Sequence, residues 1–513
     1  WVFGQMRVDP VNPDKIYVMG LALNVSEDSG KTFRRLGGMH GDHHGLWIDP
    51  DNTDYLVNVN DGGLALSYDG GENWETSYNT IPVVQFFNVM YDMDTPFHVY
   101  GSIQDHGSRR GIVDLSQGRD NIPAVDFEGA PGGEGSSHAI DPTDPNIVYS
   151  AGFYGTISRT NLKTGERKSI LPDTEEGEPK LRGQWVAPFI ISPHNPRIIY
   201  HGMQYLFRSL DRGDSWERIS PDLTYNDPDK MGDIPYQTLF AISESPLTFG
   251  LIYAGTDDGR AWVTKNSGGE WREMSKDLPE KWISRLAASA FKEGRVYMAQ
   301  NGKRDDDFAP YIWKSEDYGK TWTDISSNIP LGPVNVIRED PKDENIIYAG
   351  TDLGAYVSLD RGESWCSLSG DFPTTFVHDL VIHPRDDIMV AATHGRGLWA
   401  MDVRHIRSIA ARKAEALLLN LEDARLPRSR WYRAAPLSIR FFTETPGNAV
   451  IMVKNSAGDV VFTTEKEAVN GINTVTWDLT GLQSEAYVEP STYTVILQLA
   501  GERDEQEIEV VQE

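Results

Sequence analysis

Side chains that could do acid–base chemistry recur where the chain is expected to turn. Asp61, Asp105 and Glu134 each have glycine within two residues. Two carboxyl groups that face each other across a cleft can hydrolyse a glycosidic bond, one as the acid and the other as base or nucleophile. We therefore take Asp61, Asp105 and Glu134 as candidate catalytic residues.

A second group consists of four closely spaced polar residues, His40, Asp42, His43 and His44. Imidazole and carboxylate groups are metal ligands, so a bound divalent metal is one interpretation, although the group lacks the i, i+4 spacing of helical zinc motifs. The other interpretation is that these side chains hold neighbouring loops together by hydrogen bonds. No cofactor is required by either the hydrolytic or the loop-tying interpretation.

Further candidate ligand-binding residues lie along the chain between residues 185 and 396. The aromatic rings among them could stack on sugars. Arg396 either binds a carboxylate of a ligand or pairs with an acid of the chain. Together with His40, Asp42, His43 and His44, the candidate ligand-binding residues are Trp185, Tyr236, Trp282, Arg285, Asp379, His394 and Arg396.

A repeated motif, Ser/Thr-x-Asp-x-Gly-x-x-Trp/Phe, indicates which elements position these side chains. Its aspartate accepts backbone N–H groups across a tight turn, its glycine supplies a positive φ, and its aromatic residue opens the next strand. The motif, an Asp box, is therefore interpreted as a structural staple of a hairpin. Its acid or amide positions are Asp28, Asp69, Asp211, Asn266, Asp317 and Asp360.

Each Asp box lies in a longer unit of four short strands that contains an Asp-Pro or similar turn, and nine units of this kind, some without a complete box, follow one another. This repetition is typical of the blades of a β-propeller. In a four-stranded antiparallel blade, the start of the first strand and the turn between the second and third strands lie at one end. The Asp boxes lie at the other end. Because the candidate residues belong to the first set, we expect them to gather on one face of the propeller.

The composition limits the partners. The chain has 48 Lys+Arg against 76 Asp+Glu, for a net charge of −28, which repels nucleic acids and anionic lipids. A polysaccharide or a peptide ligand remains. No apolar run approaches the ~20 residues that span a bilayer. The single cysteine, Cys366, excludes an intrachain disulfide and is expected to be a buried thiol.

Several stretches resemble a known family: His40-Gly41-Asp42-His43-His44, Asn60-Asp61-Gly62-Gly63, and Thr393-His394-Gly395-Arg396-Gly397. They are similar to bacterial Asp-box (BNR-type) β-propeller proteins, which are glycosyl hydrolase-like or sortilin-like and include two-propeller xyloglucanases. The similarity spans roughly residues 1 to 403. The chain departs from the family pattern at His106, where Asn is usual, and at Glu134, where Asp is usual.

The resemblance implies two tandem seven-bladed propellers with a small β domain behind them. Residues 1–78 would then be the last blades of a truncated N-terminal propeller, and residues 79–403 a seven-bladed propeller with Asp-box repeats. The family also implies a bacterial protein that is secreted or lies in the periplasm or on the cell surface.

The last part of the chain has a different character. Residues 404–434 are basic, and residues 410–421 have a helical composition, which predicts a partly helical linker that docks on the acidic propeller. Residues 435–513 alternate apolar and polar side chains, which predicts an Ig-like β-sandwich that acts as a spacer or attachment module.

The sequence thus predicts an all-β, exported Asp-box propeller protein that binds a glycan at its His/Asp-rich face. Glycoside hydrolysis is the expected reaction if two carboxyl groups are suitably spaced. The alternative is a non-catalytic, sortilin-like receptor or scaffold that binds a peptide or protein in the propeller funnel. One fold serves both functions, so whether the chain is an enzyme stays open here. The expected partners are a polysaccharide or peptide ligand and the upstream propeller of the same protein, with no nucleic acid and no membrane span.

Overall fold

The computed structural model describes residues 4–77, 81, 83–116, 118–119, 122–174, 177–368, 372–428, 433–482, 484, 486–499 and 501–512. Within these residues, nine antiparallel sheets succeed one another up to Asp402, and we call them blades 1 to 9. Blades 1 to 8 have four strands each, which we letter A to D in chain order, and blade 9 has three. The all-β prediction is confirmed.

The strands of blades 1 and 2 are β1 (Met6–Val8), β2 (Ile16–Val18), β3 (Leu23–Ser26), β4 (Arg34–Leu36), β5 (His43–Ile48), β6 (Leu56–Asn60), β7 (Gly63–Ser67) and β8 (Glu75–Thr76). The strands of blades 3 to 5 are β9 (Met90–Tyr91), β10 (His98–Ile103), β11 (Gly107–Ile112), β12 (Glu128–Gly129), β13 (Ser137–Ile140), β14 (Ile147–Ala151), β15 (Ile157–Asn161), β16 (Arg167–Ser169), β17 (Phe189–Ser192), β18 (Asn195–Gly202), β19 (Leu206–Ser209) and β20 (Glu217–Arg218).

The strands of blades 6 to 9 are β21 (Leu239–Glu244), β22 (Ile252–Thr256), β23 (Ala261–Thr264), β24 (Arg272–Glu273), β25 (Trp282–Ala288), β26 (Val296–Asn301), β27 (Tyr311–Ser315), β28 (Thr323–Asp324), β29 (Val334–Glu339), β30 (Ile347–Thr351), β31 (Gly354–Ser358), β32 (Cys366–Ser367), β33 (Val377–Ile382), β34 (Ile388–Thr393) and β35 (Leu398–Asp402). Single 3-10 turns lie at Phe153–Gly155, Pro228–Lys230 and Lys303–Asp305.

A tyrosine recurs in strand B of most blades, and each of these tyrosines packs against the following blade. These side chains are all 0% exposed: Tyr17, Tyr100, Tyr149, Tyr200, Tyr253, Tyr297 and Tyr348. Each ring removes a large apolar area from water and therefore stabilises the contact between two blades.

Blades 3 to 9 close into a ring. Side chains of blade 3, such as Phe86 and Val99, share one apolar cluster with Val381 and Val390 of blade 9. The backbone N–H of Phe86 donates to the carbonyl of Thr393 at 3.1 Å. The described residues thus contain a seven-bladed propeller, preceded by blades 1 and 2, which pack on each other.

The Asp boxes act as staples, as predicted. In the box of blade 8, Asp360 Oδ1 accepts the Ser358 hydroxyl at 2.7 Å and the Ser364 N–H at 2.9 Å, while Oδ2 accepts the Ser364 hydroxyl at 2.6 Å. The neighbouring Arg361 N–H donates to the carbonyl of Asn345 in the A–B turn at 2.8 Å. Asp boxes and A–B turns therefore share one end of the blade.

The other end of each blade brings the start of strand A against the B–C turn. In blade 6, the backbone N–H of Thr238 donates to Asp257 Oδ1 at 2.8 Å. In blade 8, the N–H of Asp352 donates to the carbonyl of Pro333 at 3.1 Å. We call this end of the ring the front face.

The C-terminal part is a two-sheet β-sandwich. One sheet has the order β36-β38-β41, the other β37-β43-β42-β39-β40, and a single apolar core that includes Phe441, Trp477 and Val495 lies between them. Helix α1 (Arg404–Arg412) precedes the sandwich. The strands of the sandwich are β36 (Ala416–Leu418), β37 (Ala424–Leu426), β38 (Leu437–Thr443), β39 (Gly447–Lys454), β40 (Val460–Ala468), β41 (Gly471–Trp477), β42 (Ser491–Leu499) and β43 (Glu502–Gln512).

The segment 404–434 differs from its prediction in two respects. The helix lies at Arg404–Arg412, earlier than the predicted 410–421, and residues 416–418 and 424–426 are strands of the sandwich. The side chains of β36 are buried in the sandwich, and this burial overrides their helical composition. The docking prediction agrees with the structure, since Arg407 lies 2.9 Å from Asp340 and 2.6 Å from Asp387 of the ring.

Two further features concern single elements. Cys366 is exposed on strand D of blade 8, so the prediction of a buried thiol was wrong. The short outermost strand of the blade carries it, and both residues of that strand are exposed. No helix in the described part of the chain is long and apolar enough to cross a membrane.

Candidate functional site

The three predicted catalytic residues come together although three different blades carry them. Asp61 lies in the B–C turn of blade 2, Asp105 in the B–C turn of blade 3, and Glu134 just before β13 of blade 4. The carboxyl groups of Asp61 and Asp105 are within hydrogen-bonding reach of each other, and the charge of Glu134 interacts with both. Gln104 Nε2 donates to Glu134 Oε1 at 2.9 Å. We call Asp61, Asp105 and Glu134 the carboxyl cluster.

The environment of Asp61 and Glu134 favours the protonated forms of these two groups. Burial raises the pKa of Asp61, and the neighbouring Asp105 raises it further, while a hydrogen bond from His44 opposes the shift. Burial, followed by the charge of Asp105, also raises the pKa of Glu134. A negative charge close to Asp61 disfavours its ionised form, so Asp105 adds to the effect of burial on the Asp61 carboxyl group.

Three histidines surround the pair. His44 Nε2 lies 2.6 Å from Asp61 Oδ1, and His106 Nε2 lies 3.1 Å from the backbone oxygen of Asp61. The ring of His40 stacks on that of His106 at 5.7 Å. His106, which was not among the predicted ligand-binding residues, therefore belongs to the same site as His40 and His44.

The other two residues of the His40–His44 group lie differently. His43 is 2% exposed, its Nδ1 is 2.9 Å from Asn58 Oδ1 on β6, and burial lowers its pKa. Asp42 has a φ of +58° in the turn before β5. His43 thus ties two strands of blade 2. Among the described residues, no group of three or more His, Cys, Asp or Glu side chains could hold a metal ion.

A cavity of about 250 Å³ opens elsewhere on the front face, between blades 6 and 7. It is lined by the predicted Tyr236 and Trp282, by the acids Asp257 and Asp258, and by Arg304. Arg304 lies over the Trp282 ring at 4.3 Å, a cation–π contact that fixes the indole plane. Trp282 Nε1 is buried and makes no hydrogen bond within the described residues, which leaves a donor for a ligand oxygen.

Asp257 is the most strongly perturbed acid of this cavity. It is 3% exposed, and burial raises its pKa to about 6, against hydrogen bonds from Thr238 that lower it. Gln184 Nε2 also donates to Asp257 Oδ2 at 2.6 Å. The residue after Gln184 is the predicted Trp185, whose ring does not line the cavity but packs on Phe153 at 4.2 Å, next to Gly135.

The remaining predicted residues lie at the axis and at the last blade. Arg285 and Asp379 form an ion pair of 2.9 Å on strands A of blades 7 and 9. His394 is exposed in the B–C turn of blade 9, where it packs on His378 at 5.4 Å. Arg396, in the same turn, is also exposed, and no described carboxylate lies within ion-pair distance of it. The candidates on the front face thus form separate groups around the ring.

Comparisons with known proteins found one matching family model and similar solved structures. The family model described as the BNR-Asp box repeat matches residues 312–325, the box around Asp317. No curated protein matches the chain. Among solved structures, a GH74 enzyme from Niastella koreensis is similar at 13% identity, over 86% of this chain and 82% of that one, with a TM-score of 0.27. That similarity is too low to indicate what this chain binds.

The matched box has counterparts in five other blades, at Asp28, Asp69, Asp211, Asn266 and Asp360. All of them staple the C–D turn of a four-stranded sheet by the same hydrogen bonds. The chain is therefore a β-propeller protein with six Asp boxes, one of which matches the BNR-Asp box repeat.

Proposed function

We propose that this protein binds a glycan across its front face and hydrolyses it at the carboxyl cluster. The observation that carries the proposal is the meeting of Asp61, Asp105 and Glu134 from three blades in one place, where the pKa values of Asp61 and Glu134 are raised. Titratable groups perturbed by burial and by each other are typical of catalytic sites.

The roles follow from the spacing. Asp61 and Asp105 are in hydrogen-bonding reach, which is closer than the roughly 5–9.5 Å that separates the two carboxyl groups of glycosidases. We therefore do not assign Asp61 and Asp105 as the two opposed carboxyl groups: Asp61, whose pKa is raised, is the general acid, Asp105 supports it, and Glu134 is the second carboxylate. His44, 2.6 Å from Asp61, orients the acid.

The cavity between blades 6 and 7 supplies a binding subsite for a sugar in this proposal. Trp282 offers an indole face held by Arg304, and Asp257, Asp258 and Asn301 offer hydrogen-bonding groups around it. An apolar ring face surrounded by a few polar groups is a common arrangement for small-molecule recognition.

The test is a panel of soluble polysaccharides, assayed for new reducing ends and for binding. Asp61→Asn, Asp105→Asn and Glu134→Gln should each lower turnover about 10²-fold or more, the scale of general acid–base catalysis, while binding is retained. Glu217→Gln, an exposed carboxylate on β20, is the matched control and should keep full turnover. Unchanged turnover in Asp61→Asn would refute the assignment. Absence of turnover on every polysaccharide by the unaltered protein would instead favour the sortilin-like receptor.

We also infer that blades 1 and 2 belong to a propeller separate from the ring. The face of blade 2 that points away from blade 1 carries Trp47 and Val59, which are 50% and 43% exposed. Tyr348 occupies the position in blade 8 that Val57 occupies in blade 2, and Tyr348 is buried against blade 9. The uncovered face of blade 2 thus has the position and the apolar character of a surface that packs on a further blade, which we assign to the upstream propeller.

A further inference from the structure

The axis of the ring carries two arginines and one aspartate. Arg285 of β25, Arg338 of β29 and Asp379 of β33 lie on strands A of three consecutive blades. Asp379 Oδ1 accepts hydrogen bonds from Arg285 Nη2 at 2.9 Å, from Arg338 Nη2 at 3.1 Å and from the Leu380 N–H at 2.9 Å. One carboxylate oxygen thus serves both guanidinium groups.

The charge of this trio is not balanced. Two guanidinium groups and one carboxylate leave one positive charge, and no other carboxylate of the described residues lies within 4.0 Å of either arginine. The side chains of Arg285 and Arg338 are only 26% and 25% exposed, so water screens their repulsion poorly. Burial, with the charge of Arg285, lowers the pKa of Arg338 to about 10.

The arginines also differ in how many of their donors are used. Arg338 Nε donates to the carbonyl of Leu380 at 3.0 Å, which holds its guanidinium against the ring wall. Arg285 Nε is buried and makes no hydrogen bond within the described part of the chain. A buried donor without a partner carries a desolvation penalty that a ligand oxygen would remove.

We propose that the axis of the ring binds a small oxyanion, a carboxylate or a phosphate, between Arg285 and Arg338. The planar fork of a guanidinium matches two oxygens of such an anion, which a halide cannot offer. The anion neutralises the surplus charge and accepts the free donor of Arg285. This site is distinct from the carboxyl cluster, and its test does not depend on any activity of the protein.

The first test is a thermal unfolding titration of the full 513-residue chain. Chloride is replaced by inorganic phosphate or by acetate at constant ionic strength. The Tm should rise with one of these anions and saturate. A response to acetate alone assigns a carboxylate ligand, and a response to phosphate alone assigns a phosphate. Arg285→Gln should abolish the saturable rise, and Arg503→Gln, an exposed arginine of the sandwich, should keep it.

The variant Asp379→Asn distinguishes an anion-binding site from a structural tie, meaning an ion pair that only holds the strands together. Removing the competing carboxylate raises the net charge of the trio, so the variant should bind the same anion at least tenfold more tightly in isothermal titration calorimetry. A structural tie predicts a less stable protein with an unchanged response to anions, and that result would overturn the proposal. An equal Tm in chloride, acetate and phosphate would overturn it as well.

Discussion

Asp61 and Asp105 meet through their carboxyl groups although they lie on different sheets, in the B–C turns of blades 2 and 3. His106, next to Asp105, also contacts the backbone oxygen of Asp61 at 3.1 Å. The contact therefore joins the first two blades to the ring as well as forming the carboxyl cluster, and it is sensitive to protonation.

Neutralising Asp61 should stabilise the protein at neutral pH. The folded-state pKa of Asp61 is raised, so its contribution to stability is complete below the unfolded pKa of about 4 and is lost as the pH rises through the folded pKa. Asp61→Asn should raise the Tm at pH 7 and have little effect near pH 3.5. Tm measured against pH checks this, with Glu217→Gln as the control. A variant less stable at pH 7 than the unaltered chain would contradict it.

Asp257 should also make the stability of the protein fall as the pH rises, by a larger amount than Asp61 does. Its pKa is raised to about 6 in a buried position, so stability from this group is complete below about pH 4 and lost by about pH 7. A shift of this size corresponds to about 3 kcal/mol. Asp257→Asn should flatten the rise in unfolding free energy between pH 7 and pH 4 by about this amount in urea titrations. If the variant keeps the same pH profile, a group other than Asp257 is responsible for the pH dependence.

The Asp boxes should have the opposite pH dependence, because they stabilise the protein at neutral pH and lose this effect in acid. Hydrogen bonds from Ser215 lower the pKa of Asp211 to about 2, so its stabilisation is present above about pH 4 and lost as the pH falls toward 2. Asp211→Ala should cost about 1–2 kcal/mol at pH 7. Asp211→Asn should cost less, because Asn266 keeps the same Oδ1 contacts in blade 6. Equal losses in both variants, measured in urea, would contradict this.

Trp282 should contribute to glycan affinity. Trp282→Ala removes the ring held by Arg304 and should weaken binding of a recognised polysaccharide about tenfold, the scale of about 1.4 kcal/mol. Trp47→Ala, an exposed tryptophan on blade 2, is the control and should keep the affinity. Affinity electrophoresis compares the two. Equal losses would argue against a specific sugar subsite at the cavity.

Mutations on the uncovered face of blade 2 should change the stability of the protein only when a further blade packs on that face. In the chain described here, Trp47→Ala should change the unfolding free energy little, whereas Tyr348→Ala should cost about 3–5 kcal/mol. Joined to the upstream propeller, the chain should show slower amide exchange in β6 and β7, and Trp47→Ala should become destabilising. Unchanged exchange in the joined protein would contradict the separate-propeller inference.

Several elements of the fold were predictable because the information is local. An Asp box contains its acid, its hydroxyl and its glycine within about eight residues, so the staples and the blades follow from the pattern. The front-face position of Asp61, Asp105 and Glu134 followed from the alternation of hairpins. The position of α1 did not, because Ala416–Leu418 has a helical composition but becomes a strand once the sandwich buries it.

Local sequence patterns are enough to predict the repeated hairpins, the sign of the overall charge and the end of each blade at which the candidate residues lie. Only the tertiary structure decided that Asp61 touches Asp105, that His43 ties strands, and that Arg338 shares Asp379 with Arg285. The reason is physical. Turn chemistry acts over neighbouring residues, whereas the distance between side chains of different blades depends on how all the sheets pack around the axis.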